Sequence, residues 1–307
     1  MNRTYDKAHF KHLIKFVLCF TFFCVFLTSF AGCAPGDYKP ELKEAQVRTP
    51  DILNSGILKV GVDFDNPPMI CDSNKSTAGI DADVAAAIAD QLGLKVEFVD
   101  VGSTPESSLN NKKVDIVMGV SSKSASTDIW KSNPYLQTSS VLFASKPGAA
   151  VPNSDSADKM TALLASSSAL SAQNQFNVDN IKLESSLNAC FESLKKGEAT
   201  YVIADAVIGA YAARSMDIDA YTIANISKIG GYCIGVLESN NGLKNKITLA
   251  LEELTKSGIC ATIEKKWLGK NLDLSILPYT EGSNNQADIQ DIENGVYGEV
   301  SGTAKQN

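Results

Sequence analysis

Histidine is the residue that this chain lacks over most of its length. The sequence has two, His9 and His12, and none after them. A serine or cysteine nucleophile activated by histidine is therefore excluded for the rest of the chain. Any general acid or base there would have to be a carboxylate, a lysine, a tyrosine or a cysteine.

Arginine is nearly as scarce, with Arg3, Arg48 and Arg214 as the full set. The formal net charge is −7, and residues 1–32 hold four basic residues against one acid. Without that +3 segment the remaining chain carries −10. Nucleic acid binding needs clustered lysine and arginine, so this composition argues against a nucleic acid partner.

The cysteines give no metal signature. They are Cys19, Cys24, Cys33, Cys71, Cys190, Cys233 and Cys260. None form a Cys-x-x-Cys pair, so the sequence predicts no zinc site and no other metal. An exported protein could form disulfides, but the sequence does not choose a pairing, and buried free thiols are the other interpretation.

The first 32 residues have the order of a secretory signal. A basic start is followed by the apolar run 16–30, interrupted by Thr21, Thr28 and Ser29, and then by small residues. The alternatives are plain secretion or a transmembrane anchor, but a span needs roughly 20 apolar residues. The segment 30–33, Phe-Ala-Gly-Cys, resembles the lipobox of bacterial lipoproteins. That resemblance implies cleavage before Cys33 and a palmitate-type lipid on it, which would hold the protein at the membrane surface.

Beyond the signal the sequence predicts an α/β protein. Residues 33–50 are polar and proline-containing and indicate a tether. Apolar strands alternate with helices, which favours a largely parallel sheet in each of two lobes. Asp81 is predicted to cap a helix over 82–92 that ends at Gly93. We expect one lobe over 51–143 and 230–272, a second over 144–229, two hinge strands between them, and a flexible tail over 273–307.

Ordered sequence blocks give a family resemblance over about residues 52–272. They are Gly-Ile-Leu-Lys-Val-Gly at 56–61 with Asp63 and Pro67-Pro68, Gly-Ile-Asp-Ala-Asp at 79–83, Lys-Val-Asp-Ile-Val at 113–117, Asn-Pro-Tyr at 133–135, residues 187–197 leading to Ala204-Asp205, and Lys-Trp-Leu at 266–268. Together they resemble an extracellular solute-binding protein of an ABC importer, of the polar-amino-acid type. The resemblance implies a two-lobed, type II periplasmic-binding-protein-like fold. It also implies a monomer without cofactor that closes on a small solute, presents it to the permease subunits and works at the outer face of the cytoplasmic membrane.

The resemblance also assigns candidate ligand-binding residues. Asp205, at a strand end, matches an aspartate that holds the ligand's α-amino group, although an aspartate there could equally cap the following helix. Asp63 matches a position that contacts a polar or cationic ligand side chain, or is a turn residue before the proline pair. Gly119 and Ser121 match backbone and hydroxyl contacts after the third strand, or form a simple turn.

Other positions depart from the family pattern. The arginine that grips an α-carboxylate is missing from the loop 122–128, where Lys123 offers a point charge or is a solvated lysine. Asn66 and Met69 stand where aromatics would stack, and Phe64 or Trp130 could replace them or belong to the core. Ser167 and Ser168 lie in a serine run that could hold an anion or cap a helix.

Three functions follow as hypotheses. The first is solute capture for import, with a ligand that is cationic or lacks a free α-carboxylate, because the arginine is missing while Asp63 and Asp205 are present. The second is a ligand-sensing lipoprotein. The third is a dehydratase-like enzyme on the same scaffold, for which no nucleophile with a base in reach is evident.

Overall fold

The computed structural model describes residues 43–73, 76–102 and 105–284. The predicted signal (1–32) and Cys33, the predicted site of lipid attachment, lie outside the described residues. Within this described part, no helix is long and apolar enough to cross a membrane.

Fourteen strands are present in the described residues. In chain order they are β1 Ile57–Val62, β2 Asp65–Asn66, β3 Ile70–Ser73, β4 Ser76–Ala78, β5 Lys95–Asp100, β6 Ile116–Ser121, β7 Ile129–Lys131, β8 Leu136–Thr138, β9 Ser140–Ala144, β10 Met160–Leu163, β11 Ile181–Glu184, β12 Tyr201–Asp205, β13 Tyr221–Asn225 and β14 Gly230–Leu237.

Seven α-helices are present in the described ranges, five between these strands and two after the last strand. They are α1 Ile80–Leu92, α2 Pro105–Asn110, α3 Ser167–Gln173, α4 Leu187–Lys196, α5 Ala206–Ser215, α6 Asn241–Lys256 and α7 Ile259–Leu268. Short 3-10 turns occupy Val178–Asn180, Leu274–Ile276 and Glu281–Asn284. Side chains cap several of the helices, as Ser186 does by accepting from the amide of Ala189.

Two main sheets form the two lobes, so the predicted α/β fold class is confirmed. The first has the order β5-β1-β6-β14-β7, with β8 also paired to β14, and the second has the order β11-β10-β12-β9-β13. β1 runs parallel to β5 and β6, and β10 runs parallel to β11 and β12. Apolar clusters cover both faces of each sheet, as expected for largely parallel sheets.

Within the described residues, the chain passes between the lobes three times, not twice. The first two crossings are residues 138–140 and 225–230, which link the sheets as β8 to β9 and β13 to β14. The third is 269–273, which leaves α7 and brings Leu274, 1% exposed, into the apolar cluster of the second lobe. The predicted lobe boundary at 143 therefore falls too late, because β9 belongs to the second sheet. The predicted tail starts too early, because residues 274–280 pack against β13.

The end of the predicted tether also packs on the first lobe. Val47 is 3% exposed. The amide of Gln46 donates to the carbonyl of Leu92 at 2.9 Å, and Lys43 pairs with Asp90 at 2.8 Å. Residues 43–50 are thus part of the globule, since they cover the end of α1.

The start of α1 corrects one prediction. Gly79, not Asp81, is the N-cap, and a Cβ at Gly79 would lie 2.3 Å from the carbonyl oxygen of Met69. Asp81 is inside the first turn and is 4% exposed. The predicted end is correct, because Gly93 closes the helix in the left-handed conformation.

The four cysteines within the described ranges are free thiols. Cys190 and Cys233 are buried, and Cys71 and Cys260 are half-buried. The sequence left disulfides and free thiols open, and the structure has free thiols at these four positions.

Candidate functional site

Each main sheet has one point where consecutive strands are added on opposite sides. In the first sheet β5 and β6 flank β1, and in the second sheet β11 and β12 flank β10. Open α/β sheets bind ligands at the carboxyl ends of the strands at such switch points. The two switch points therefore define the candidate site.

Asp63 and Asn66 follow the end of β1. Asp63 is exposed, and Asn66 is half-buried in the short strand β2, where it pairs with Ile70. Both lie at the switch point of the first sheet, where a ligand could reach them.

Gly119, in β6, is tied to the core behind the sheet. Its amide donates to the hydroxyl of Tyr135 at 3.0 Å, and that hydroxyl donates to the carboxylate of Asp81 at 2.5 Å. Burial raises the pKa of Asp81 to about 7. The amide of Gly119 is thus engaged within the protein, so the structure does not present it as a ligand donor.

The loop after β6 is fixed to the start of β14. Ser122 exchanges two bonds with Gly231, from amide to carbonyl at 2.9 Å and from the Gly231 amide to Oγ at 3.0 Å. Lys131 donates to the carbonyl oxygens of Ser122, at 3.4 Å, and Ser124. Ser121 accepts from the amide of Lys123 at 3.2 Å, so its hydroxyl shapes the loop.

Lys123 extends from this loop to the second crossing. Its amine donates to the carbonyl oxygen of Lys228 at 2.6 Å. Burial lowers the pKa of Lys123, whereas nearby Asp205 acts to raise it. Lys123, which follows β6, and Asp205, at the end of β12, are thus close to each other, so the two switch points are adjacent.

Asp205 ends β12 and caps α5, as one of its two interpretations predicted. Oδ1 accepts from the amides of Val207 and Ile208 at 2.9 and 3.1 Å, and Oδ2 accepts from Thr138 at 2.6 Å. The Tyr232 hydroxyl also bonds the carboxylate, whose pKa is raised by burial. Four donors match the roughly four lone-pair sites of a carboxylate. A ligand ammonium would therefore have to displace one of them.

The serine run of the second lobe is mostly structural. Ser166 caps α3, accepting from the amide of Ala169 at 3.0 Å, so the proposed cap at Ser168 is wrong. Ser168 is fully buried and shares a 2.9 Å bond with Ser140. Ser167, half-buried, is the member of the run that remains available to a ligand.

Phe64 and Trp130 pack against the core of the first lobe, and Met69 is fully buried. The core interpretation of both aromatics therefore has direct support. Within the described ranges, no cluster of histidine, cysteine, aspartate or glutamate could hold a metal ion.

Sequence reasoning missed three residues that shape the site, namely Thr138, Lys131 and Tyr232. Thr138 acts through Asp205, which is 67 positions away, whereas Lys131 acts through the nearby carbonyl oxygens of Ser122 and Ser124. No local pattern marks such pairs. A glycine pair before Tyr232, at 230–231, was the one visible sign of close packing there.

Solved structures of similar fold include two solute-binding proteins and one periplasmic domain. The L-cystine solute receptor of Neisseria gonorrhoeae, in its unliganded open conformation, has a TM-score of 0.60 and 20% identity, over 70% of this chain and 94% of that one. An ancestral cationic amino acid solute binding protein has a TM-score of 0.57 and 23% identity, over 69% and 96%. The periplasmic domain of BvgS from B. pertussis has a TM-score of 0.60 and 22% identity, over 72% and 44%.

At these identities the structural likeness establishes the fold alone. No curated protein matches the chain in sequence. The sequence pattern of the bacterial extracellular solute-binding proteins, family 3, matches residues 58–270, which is more than half of the chain. The chain therefore belongs to the bacterial extracellular solute-binding proteins of family 3.

Proposed function

We propose that this protein captures a small solute between its lobes and presents it to the permease subunits of an ABC importer. The solute is an amino acid, an amino acid derivative or an amine. The observation that carries the proposal is the meeting of the two switch points. Tyr232 pairs with Ser121 at the end of β6 and hydrogen-bonds to Asp205 at the end of β12.

The proposed contact residues are candidates whose side chains are exposed or half-buried. Asp63, Asn66 and Ser167 are accessible at the strand and helix ends. Asp205 contributes by holding the junction between the lobes, and it meets an ammonium only after one of its present donors leaves. Closure about the crossings 138–140 and 225–230 would then surround the solute.

A thermal-shift panel tests this function. The purified full chain is heated with single amino acids, polyamines, dipeptides and simple amines. A ligand present at a hundred times its Kd stabilises the folded state by about 2.7 kcal/mol, which is a readily measured rise in Tm. The substitution Asp63→Asn should weaken binding of the ligand that gives the largest rise in Tm. The absence of any rise across the panel would count against solute capture.

Binding without turnover is part of the proposal. Histidine is absent after position 12, and no nucleophile with a neighbouring base is found in the site. Incubation of purified protein with a prephenate-like substrate should leave that substrate unchanged. Its conversion would instead support the dehydratase-like alternative.

The anchor is a separate proposal that rests on the sequence. Residues 1–32 would direct export, and a lipid on Cys33 would hold a monomer on the outer face of the cytoplasmic membrane. Tethering near the permease raises the effective concentration of loaded receptor. Palmitate labelling of cells should mark the wild type and not Cys33→Ala, and the variant should appear in the medium. Uptake assays separate import from sensing, because a sensor would not be required for transport.

A further inference from the structure

Asp205 is an acidic side chain at the junction of the lobes whose acceptor positions are filled by the protein itself. It ends β12 and is 9% exposed. Oδ1 accepts from the amides of Val207 and Ile208 at 2.9 and 3.1 Å. Oδ2 accepts from the hydroxyl of Thr138 at 2.6 Å, and the Tyr232 hydroxyl gives a fourth hydrogen bond. A carboxylate has about four lone-pair sites, so these four donors account for them.

These donors do not give way to a solute without loss. The two amides belong to the first turn of α5, which Asp205 caps. Both hydroxyls come from the first sheet, Thr138 from β8 and Tyr232 from β14. Tyr232 is 3% exposed, so a displaced hydroxyl there would have no water to bond. A buried polar group that loses its partner weakens binding by about tenfold or more.

A positive charge already lies near this carboxylate. The Lys123 amine donates to the carbonyl oxygen of Lys228 at 2.6 Å, and the Asp205 carboxylate acts to raise the pKa of Lys123. The negative charge of Asp205 is thus shared with a cation of the protein. A solute ammonium placed there would meet a like charge, and it would lose its water without gaining a vacant carboxylate oxygen. A neutral nitrogen carries neither cost.

We propose that the site takes a solute whose α-nitrogen is uncharged, such as an N-acylated amino acid, because the protein's own donors occupy Asp205. The inference rests on the proposed function and narrows its solutes to amino acid derivatives without an α-ammonium. It departs from the role that the family resemblance implies for Asp205, which is to hold an α-amino group. It also departs from the cationic solute expected from the missing arginine. Asp205 instead joins the lobes and disfavours a free ammonium.

Matched compounds test the inference. The N-acetyl derivatives of the common amino acids are each compared with the free amino acid, by thermal shift and then by calorimetry on the full chain. The N-acetyl derivative that gives the largest rise in Tm should bind. Its parent amino acid should bind at least about tenfold more weakly, because its ammonium has to displace a donor of the protein.

Three variants locate the cause. Thr138→Val is nearly isosteric and vacates one acceptor position on Asp205, so the free amino acid should gain about tenfold in affinity. The affinity of the N-acetyl derivative should stay unchanged in that variant. Thr138→Ser keeps the hydroxyl and should bind both compounds as the wild type does. Ser139→Ala is the matched control, because it removes a hydroxyl of the same crossing that bonds to Asn225, and it should also bind as the wild type does. A cooperative melt without ligand shows that each variant is folded.

The outcomes separate this inference from solute capture itself. A free amino acid that binds the wild type as tightly as its N-acetyl derivative would overturn the inference while solute capture stands. The same holds if Thr138→Val changes both affinities equally, or if Ser139→Ala gives the same selective gain. Binding of an amine or a dipeptide alone would likewise overturn only the inference. Failure of every compound, N-acetyl derivatives included, to bind the wild type would overturn both.

Discussion

Thr138 donates a 2.6 Å hydrogen bond to the carboxylate of Asp205 across the junction of the two lobes. Thr138 ends the strand that leaves the first sheet, and Asp205 ends the central strand of the second. The bond therefore joins the two sheets where a solute would have to approach. It makes Asp205 a measurable contributor to stability as well as a candidate site residue.

Substitutions at Asp205 should separate its two structural roles. Asp205→Ser keeps an oxygen that can cap α5, whereas Asp205→Ala does not. The alanine variant should therefore be less stable than the serine variant by about 1 kcal/mol. Thr138→Val is nearly isosteric and should lower the free energy of unfolding by about 1–3 kcal/mol. Urea unfolding measures all three. Wild-type stability in both Asp205→Ala and Thr138→Val would show that the junction bond is dispensable.

Asp81 should make stability depend on pH. Burial raises its pKa from 3.8 to about 7 in the folded protein. Between these values the folded state holds a proton that the unfolded chain releases, so the free energy of unfolding falls as the pH rises. The slope from this group is at most about 1.4 kcal/mol per pH unit, and it ends above pH 7.

Asp81→Asn provides the control for that slope, because asparagine resembles the protonated acid and can still accept from Tyr135. The difference between wild type and variant isolates Asp81 from the other carboxylates. A difference that does not change between pH 4 and pH 7 would contradict the raised pKa.

Asn225 should be a major determinant of hinge stability. It is fully buried, and its amide group accepts from Ser139 at 2.6 Å and donates to the carbonyl of Leu274 at 2.9 Å. Asn225→Leu leaves both partners unsatisfied and should cost about 2–5 kcal/mol, whereas Ser139→Ala should cost about 1 kcal/mol. Thermal unfolding by circular dichroism measures both. Similar small losses in the two variants would show that the hydrogen bond from Asn225 to the carbonyl of Leu274 adds nothing to stability.

Gly230→Ala should weaken solute binding more than it lowers stability. The added Cβ would lie 3.0 Å from Lys123 Cε and 2.9 Å from Ser122 Oγ. The flexible lysine can move, so we expect a small change in Tm and a loss of affinity of up to about tenfold. In Lys123→Met the same glycine change should have little further effect on affinity, as a double-mutant cycle would show. Additive losses would mean that Gly230 acts independently of Lys123.

The sequence predicted the ends of helices and strands better than it predicted which residues contact one another. Gly93 and Asp205 were correctly placed at element ends, because helix termination and strand-to-helix turns depend on local chemistry. The strand Ser140–Ala144 falls almost wholly within the stretch predicted for the first lobe, but it pairs in the second sheet, since an apolar strand fits either core. Asp81 was interpreted as a cap because its true partner, Tyr135, is 54 positions away.

The charged residues of the candidate site show the same contrast between predicted positions and unpredicted contacts. Their positions at strand ends followed from pattern, but the number of donors already around Asp205 and the closeness of Lys123 to that carboxylate did not. Those properties depend on how two lobes meet, and no spacing in the chain encodes them.

The third crossing has a consequence for how the chain is made. Each lobe is assembled from two separate stretches, and the later stretch of the first lobe runs to Leu268 while that of the second reaches Thr280. Neither core can be completed until almost the whole described chain is available. A nascent chain passing through an export channel would therefore stay unfolded until late, which is the state that such a channel accepts.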